Sequence, residues 1–208
     1  MYLAGYLNSE NISARWALNV STAPALEPVT VTEAKTHLHI TGTDDDTKIG
    51  LLITAARQYL EKYLRRSLIN QTFILSLDGA PSCSVLELPM PKLQSITHVK
   101  YYDTDDTLQT FSSASYRADT VSYVGRVMLK DGYSWPTVIA DRADAIQITY
   151  VSGYGAATTD VPEAIRQAVF MLVEHWYTNR GVVLVGTIQA NLEFALENLL
   201  SIYKVTQL

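Results

Sequence analysis

The residues from Asp160 to Arg180, DVPEAIRQAVFMLVEHWYTNR, constrain the fold more than any other stretch of the chain. Ile165, Ala168, Val169, Leu172, Val173 and Trp176 recur at helical spacing, which predicts an α-helix over 161–180 with one continuous apolar face. Asp160 is placed to cap the first free amides, Pro162 suits the first turn, and Gly181 suits a left-handed end. Phe170 and Met171 lie off the stripe, so this helix is apolar on more than one side. Packing between a core and a neighbouring subunit requires such a helix; burial deep in a large monomer produces the same pattern.

Two more helices are expected upstream. Thr30-Val-Thr-Glu33 is a capping box that opens a short helix over 31–39, with Ala34 and Leu38 on one side. Thr43-Asp-Asp-Asp46 reads as a second box, opening a helix over 44–66. Its stripe is Ile49, Leu52, Ile53, Ala56, Leu60 and Tyr63, while Lys48, Arg57, Glu61, Lys62 and Arg65 take the other side. From 67 to 152 the apolar period changes to two, with short strands at 72–77, 84–88, 96–102, 126–129 and 145–151. Asp78-Gly79, Asp131-Gly132 and the acidic run 103–106 punctuate them.

At the N-terminal end, Ile12, Ala14, Trp16, Leu18 and Val20 alternate as a half-buried strand does. Past the central helix, 182–185 reads as an apolar loop or strand. Ile188, Leu192, Ala195, Leu196, Leu199 and Ile202 then give a last amphipathic helix, followed by YKVTQL, a segment suited to strand addition onto another chain. The expected fold class is α+β: a mainly α-helical core of long helices with an inserted small antiparallel β region. The expected organisation is an extended arm over 1–27, a main domain over 28–186, and a C-terminal helix and tail over 187–208.

A length of 208 residues allows one good core, or one core and a small satellite. The net charge of −5 disfavours a surface that wraps nucleic acid, because phosphate binding needs concentrated Lys and Arg, but an acidic wall is compatible with DNA passing close by. Cys83 is the only cysteine, no apolar run reaches membrane-spanning length, and the first residues lack a signal-peptide pattern. These features predict a soluble intracellular protein with no membrane partner.

Nothing in the sequence assembles a reaction centre. His37 and His39 are two apart and would diverge on a helix, and His98 and His175 have no second ligand at metal spacing, so all four read as structural. Asp103-Thr-Asp105-Asp106 opens like a calcium loop, but Leu108 stands where the loop needs Gly and Ala114 where it needs Glu; a turn is the better reading. Asp44 to Asp46 are explained as helix caps. Tyr101, Tyr102, Tyr116, Tyr123, Tyr133 and Trp135 lack interleaved basic residues and read as sheet packing or interface rather than as a base-stacking platform. No catalytic residue, metal ligand or cofactor is expected.

Taken together, several blocks resemble one family. Pro28-Val-Thr-Val-Thr-Glu-Ala-Lys-Thr-His-Leu38 followed by Asp44-Asp-Asp is similar to the opening of the head–tail connector proteins of long-tailed phages, also called head-completion or adaptor proteins. The run Ala55 to Thr72, AARQYLEKYLRRSLINQT, resembles that family's central signature. Leu88-Pro-Met-Pro-Lys-Leu-Gln-Ser-Ile96, Tyr101 to Asp105, Gly125-Arg-Val127, Ser134-Trp-Pro136, Tyr150 to Gly155, Val161 to Ala168 and Glu174 to Arg180 follow in the family's order, so the likeness spans about 20–182.

The resemblance implies a structural virion protein at the head–tail junction, made in the host cytoplasm. It implies a helical protein with a β-hairpin insertion that forms a ring, twelve-fold by resemblance, beneath the portal protein. Such a ring extends the DNA channel, with acidic side chains expected along the lumen, and docks a stopper or tail-completion protein. Packaged DNA passes without sequence-specific binding, and the family has no catalytic residues to carry over. Within that reading Arg57, Glu61, Phe170, Met171 and Glu174 are the expected subunit interface, and Tyr203, Lys204, Val205, Thr206, Gln207 and Leu208 the expected portal contact. The alternative is a nucleic-acid- or protein-binding module that uses the tyrosine-rich β region.

Overall fold

Side chains along Gln71–Leu77 are alternately buried and half-buried, with Phe73, Leu75 and Leu77 inward, as in a strand laid on a core. The computed structural model describes residues 3–5, 15–179 and 190–205. The chain divides into two compact units, and it passes from one to the other after Pro24, Ile69 and Gly153.

The first unit holds the strands. In chain order these are β1 (Leu3–Gly5), β2 (Trp16–Thr22), β3 (Gln71–Leu77), β4 (Val85–Glu87), β5 (Leu93–Tyr102), β6 (Leu108–Phe111), β7 (Tyr116–Asp119), β8 (Arg126–Leu129) and β9 (Ile146–Ser152). They form a six-stranded sheet, ordered β1-β2-β3-β9-β5-β6, and a three-stranded sheet, ordered β4-β8-β7, with every pairing antiparallel. Register lines up one apolar row across the larger sheet: Leu18 opposite Leu75, Leu75 opposite Ile148, Ile148 opposite Val99, and Val99 opposite Phe111. A one-residue slip of any strand would turn its share of the row outward, so burial pins the register. Leu86, Leu88, Tyr116 and Val127 join the same core from the smaller sheet and its flanks.

Close approach explains one glycine in this unit. A Cβ on Gly125 would meet Leu93 Cβ at 2.2 Å, so the entry to β8 passes β5 at a distance that no side chain permits. Tyr150 is fully buried, stacks on Phe73 with ring centroids 5.6 Å apart, and donates its hydroxyl to the Pro89 carbonyl (2.7 Å). Burial pushes the Tyr150 phenol well above its ordinary pKa.

The second unit is helical: α1 (Val31–His37), α2 (Asp46–Leu64), α3 (Glu163–Thr178) and α4 (Ala190–Leu200). Ile49, Ile53, Ala56, Leu60 and Leu64 of α2 are buried against Ile165, Ala168, Val169, Leu172 and Val173 of α3, and Leu196 and Leu200 of α4 complete the core. Thr30 and Glu33 form the expected capping box of α1. The other two expected caps are replaced. At α2 the cap position is Asp45, which makes no side-chain cap bond, because its carboxylate accepts the Tyr177 hydroxyl of α3; Lys35 holds Asp46 at 2.7 Å. At α3 the cap position is Pro162, and Asp160 instead closes a preceding turn by accepting the Ala157 amide (2.8 Å).

The expectation of a mainly helical core with a small β insertion is overturned. Among the described residues 32% are helical and 26% lie in strands, in two antiparallel sheets. Long helices announce themselves through several repeats of one period, whereas β6 (LQTF) and β7 (YRAD) are too short and too polar to show alternation. The strand expected near 12–20 is found as β2, paired with β3, although Ile12 and Ala14 lie outside the described residues, as does 182–185.

The packing around Gly125 gives a direct test. Gly125→Ala must displace Leu93 and is expected to cost about 1–3 kcal/mol, as overpacking does, read as a lower denaturation midpoint with an unchanged m-value. An unchanged midpoint would show that the two strands are not held this closely.

Candidate assembly surface

Two buried arginines organise the helical unit. Arg57, 6% exposed on α2, donates from Nε to Glu27 Oε2 (2.7 Å) and from Nη1 to Glu61 Oε2 (2.8 Å). Glu61, 5% exposed, uses its other oxygen to accept the Leu68 amide (3.0 Å). That bond shapes the turn after α2, where Arg65 adopts a left-handed conformation (φ 54°) and the amides of Arg65 and Arg66 return to the Glu61 carbonyl. Thr54 donates to Glu27 as well (2.9 Å). Burial drives the Glu61 carboxyl above the ordinary glutamate pKa of 4.5, and Arg57 opposes that rise.

Arg166 does the same work from α3. Its Nε donates to the Pro28 carbonyl (3.1 Å), Nη1 to Glu163 (2.8 Å) and Nη2 to Glu33 (2.6 Å). Glu33 is thus shared between the cap of α1 and Arg166; its bonds to Thr30 and Arg166 hold its carboxyl below the ordinary value. Arg57 and Glu61, expected at a subunit interface, therefore lie beneath the surface and are bonded within the chain. Neither Glu27 nor Arg166 is identifiable from local sequence, because Glu27 lies 30 residues from Arg57 and Arg166 lies 133 residues from Glu33.

The outer side of α3 is different. Phe170 is half-buried and stacks on His37 of α1 (centroids 5.2 Å apart), whose Nε2 lies 3.0 Å from Glu174 Oε2. Met171 is also half-buried and lines an open groove with Glu174, His175, Thr178, Asn179 and Leu192 of α4. The off-stripe apolar residues of α3 are thus partly covered by the chain's own α1 and α4. Phe170, Met171 and Glu174 come together on one surface; Arg57 and Glu61 do not join them. His175, expected to be a satisfied structural residue, has a buried Nε2 with no hydrogen-bond partner among the described residues, while its Nδ1 lies 3.2 Å from Asn179.

Of the expected portal-contact residues, Tyr203 ends a short 3-10 turn. Lys204 sits over the Tyr63 ring at 4.5 Å, and Val205, buried, donates its amide to the Leu64 carbonyl (3.0 Å). Thr206, Gln207 and Leu208 lie outside the described residues.

Several aromatic residues of the β unit pack on one another, whereas Tyr123 and Tyr133 are exposed. Phe111 stacks on Tyr116 and Trp135 (5.9 and 5.8 Å) and meets Tyr101 edge-on at 6.5 Å, and Trp135 donates its indole N–H to the Cys83 carbonyl (2.8 Å). Arg142 covers the Tyr102 ring at 3.4 Å and bridges Asp106 and Asp144. Asp103, the head of the calcium-like run, accepts the amides of Asp105 and Thr107 and the Gln109 amide group, which is turn chemistry. Asp119 is held well below the ordinary carboxylate pKa by the Ser122 hydroxyl and the Arg126 guanidinium. Among the described residues no three His, Cys, Asp or Glu side chains converge as a metal cluster, and no helix is long and apolar enough to cross a membrane.

The described residues thus present an ion-paired helical unit with a part-apolar outer surface and a sheet unit whose mainly aliphatic core includes Phe73, Tyr116 and Tyr150. The chain belongs to the head completion protein family, whose model matches residues 27–187. That family is structural, and the chain's role is that of a head–tail connector or adaptor component. No curated protein matches it in sequence.

Three solved structures share its fold, each matched over 92% of this chain and 96% of the other. One is a chain from the neck of an empty gene transfer agent (GTA) particle computed with six-fold symmetry, with TM-score 0.76 and 22% identity. Another is from the virion of a native GTA particle, with TM-score 0.74 and 22% identity. The third is from the neck of a native GTA particle computed with twelve-fold symmetry, with TM-score 0.70 and 21% identity.

The buried pair makes a prediction with a sign. Arg57→Ala leaves Glu61 buried without its counter-charge and is expected to cost about 3–5 kcal/mol near neutral pH. The variant's folded state then keeps a proton on Glu61 that the unfolded chain releases above about 4.5. Stability lost by the variant should therefore be regained as pH falls through the window between that value and the raised folded one, and lost as pH rises. Denaturation at about pH 5 and about pH 8 reads this out; a deficit that is small, or that widens in acid, would contradict it.

Proposed function

We propose that this chain forms a symmetric ring at the head–tail junction of a virion, beneath the portal protein. The ring extends the DNA channel and offers its far side to a stopper or tail-completion protein. The observation that carries the reading is the outer side of α3, where Phe170, Met171 and Glu174 gather beside an open groove on an ion-paired unit. A closed ring needs such a surface on every protomer, meeting a different surface of the next. Membership of the head completion family supports the reading, and so does the occurrence of the same fold in particle necks computed with six-fold and twelve-fold symmetry.

Phe170, Met171 and Glu174 line the subunit contact, while Arg57 and Glu61 support it from beneath by fixing the turn after α2. The segment 203–208 contacts the portal; within it Val205 is anchored on the helical unit by its amide bond to the Leu64 carbonyl. The protein acts as a scaffold rather than a catalyst. Its net charge of −5 suits a channel wall that DNA slides past without adhering.

Deleting the gene from the genome that encodes it tests the role. Filled heads without tails are expected, rescued by the wild-type gene in trans and not by Glu174→Lys. That substitution loosens a partly exposed pair, at a cost of about 0–1 kcal/mol, and so leaves the fold intact. Tailed, infectious or DNA-delivering particles from the deletion would overturn the assignment.

A further inference from the structure

Helices α2 and α3 pack on each other through their buried faces, so their outward sides lie on opposite sides of the helical unit. Helical spacing puts Thr47, Leu51, Ala55, Gln58, Lys62 and Arg65 on the side of α2 turned away from α3, and all six are exposed, Leu51 at 68%. The same spacing puts Glu163, Gln167, Phe170, Met171, Glu174 and Thr178 on the side of α3 turned away from α2. The two sides differ in charge. That of α2 has Lys62 and Arg65 and no carboxylate, and neither cation is ion-paired among the described residues. That of α3 has no lysine or arginine and presents Glu163 and Glu174, whose side chains are 80% and 57% exposed; buried Arg166 holds the first from beneath and His37 the second.

We propose that the outward side of α2 meets the outward side of α3 on a second copy, with Leu51 seated on Phe170 and Met171 and Lys62 directed at Glu163. The inference rests on the ring reading above and supplies the surface that the outer side of α3 meets. Identical chains close a ring only when two different surfaces of one chain meet head to tail. Surfaces on opposite sides of one unit let each protomer hold a neighbour at both. Charge selects α2 over the other bare apolar positions of this unit. Phe194 and Ile202 are 69% and 76% exposed, but α4 carries Glu193 and Glu197 and no cation, the same sign as the outer side of α3. Charge also sets direction. At about 1.5 Å per residue, Lys62 lies about 16 Å beyond Leu51, and Glu163 lies about 11 Å before Phe170. Antiparallel helices therefore bring the lysine to the glutamate, whereas parallel ones carry it past the end of α3. Leu51 and Ala55 on Phe170 and Met171 form an apolar centre, with an adaptable thioether, inside a rim of Gln58, Lys62, Glu163 and Gln167.

The test uses the full chain with Cys83→Ser, assembled with the portal of its own genome and then oxidised. A ladder of disulfide-linked protomers is expected when one chain carries both Leu51→Cys and Met171→Cys, and only linked pairs when the two single-cysteine chains are mixed. Leu51→Asp should lower ring yield about tenfold with an unchanged melting temperature, because its side chain already stands in water. Lys62→Glu should lower the yield as well, and adding Glu163→Lys should restore part of it. Rings of wild-type yield from Leu51→Asp, with no ladder from the double cysteine, overturn the proposal while the ring reading stands. Failure of the wild-type chain to form any ring on an intact portal overturns both.

Discussion

Much of the helical unit depends on how two buried guanidinium groups grip a single short segment. Arg57 from α2 and Arg166 from α3 converge on residues 27–33 through Glu27, the Pro28 carbonyl and Glu33. Each arginine is bonded at more than one nitrogen, so the segment is held in direction as well as in place. Apolar packing of α2 on α3 supplies the driving force for folding, but it is non-directional and does not by itself specify where the entering chain lies. The ion pairs do that, and they place α1 so that His37 covers Phe170. Glu61 extends the arrangement to the turn that leads out of α2.

This view changes what the family's signature residues mean. Glu33, Arg57, Glu61 and Arg166 fall inside the blocks that carry the resemblance, and each has a structural explanation within the chain. Gly125 and Gly155 have one too: a Cβ on the second would meet the Asp160 carboxylate at 2.0 Å. The signature describes a frame. The outer side of α3, the surface proposed for assembly, is built on that frame.

How much of this was legible beforehand follows from the range of each signal. Helices α2 and α3 were readable because their stripes repeat every three or four residues over several turns. The capping box at Thr30 was readable because both partners lie within four residues. The extent of the sheets was not, since a four-residue strand such as β6 shows too little alternation and is specified by its partner β5, which no local window contains. The box expected at Thr43 gives way to a cap position at Asp45, whose carboxylate is taken by Tyr177, 132 residues away, and the Asp160 carboxylate closes a tight turn instead of capping α3. Of the candidate surface, Phe170 and Met171 stood out as apolar residues off the stripe.

The chain is proposed here as a structural ring component that seats on a portal. The most direct measurement is to mix the purified protein with the portal ring from its own genome and image the product by cryo-electron microscopy. The account predicts an added ring coaxial with the portal, with the outer side of α3 at the boundary between protomers. A portal that stays intact and bare in the presence of folded protein would contradict it.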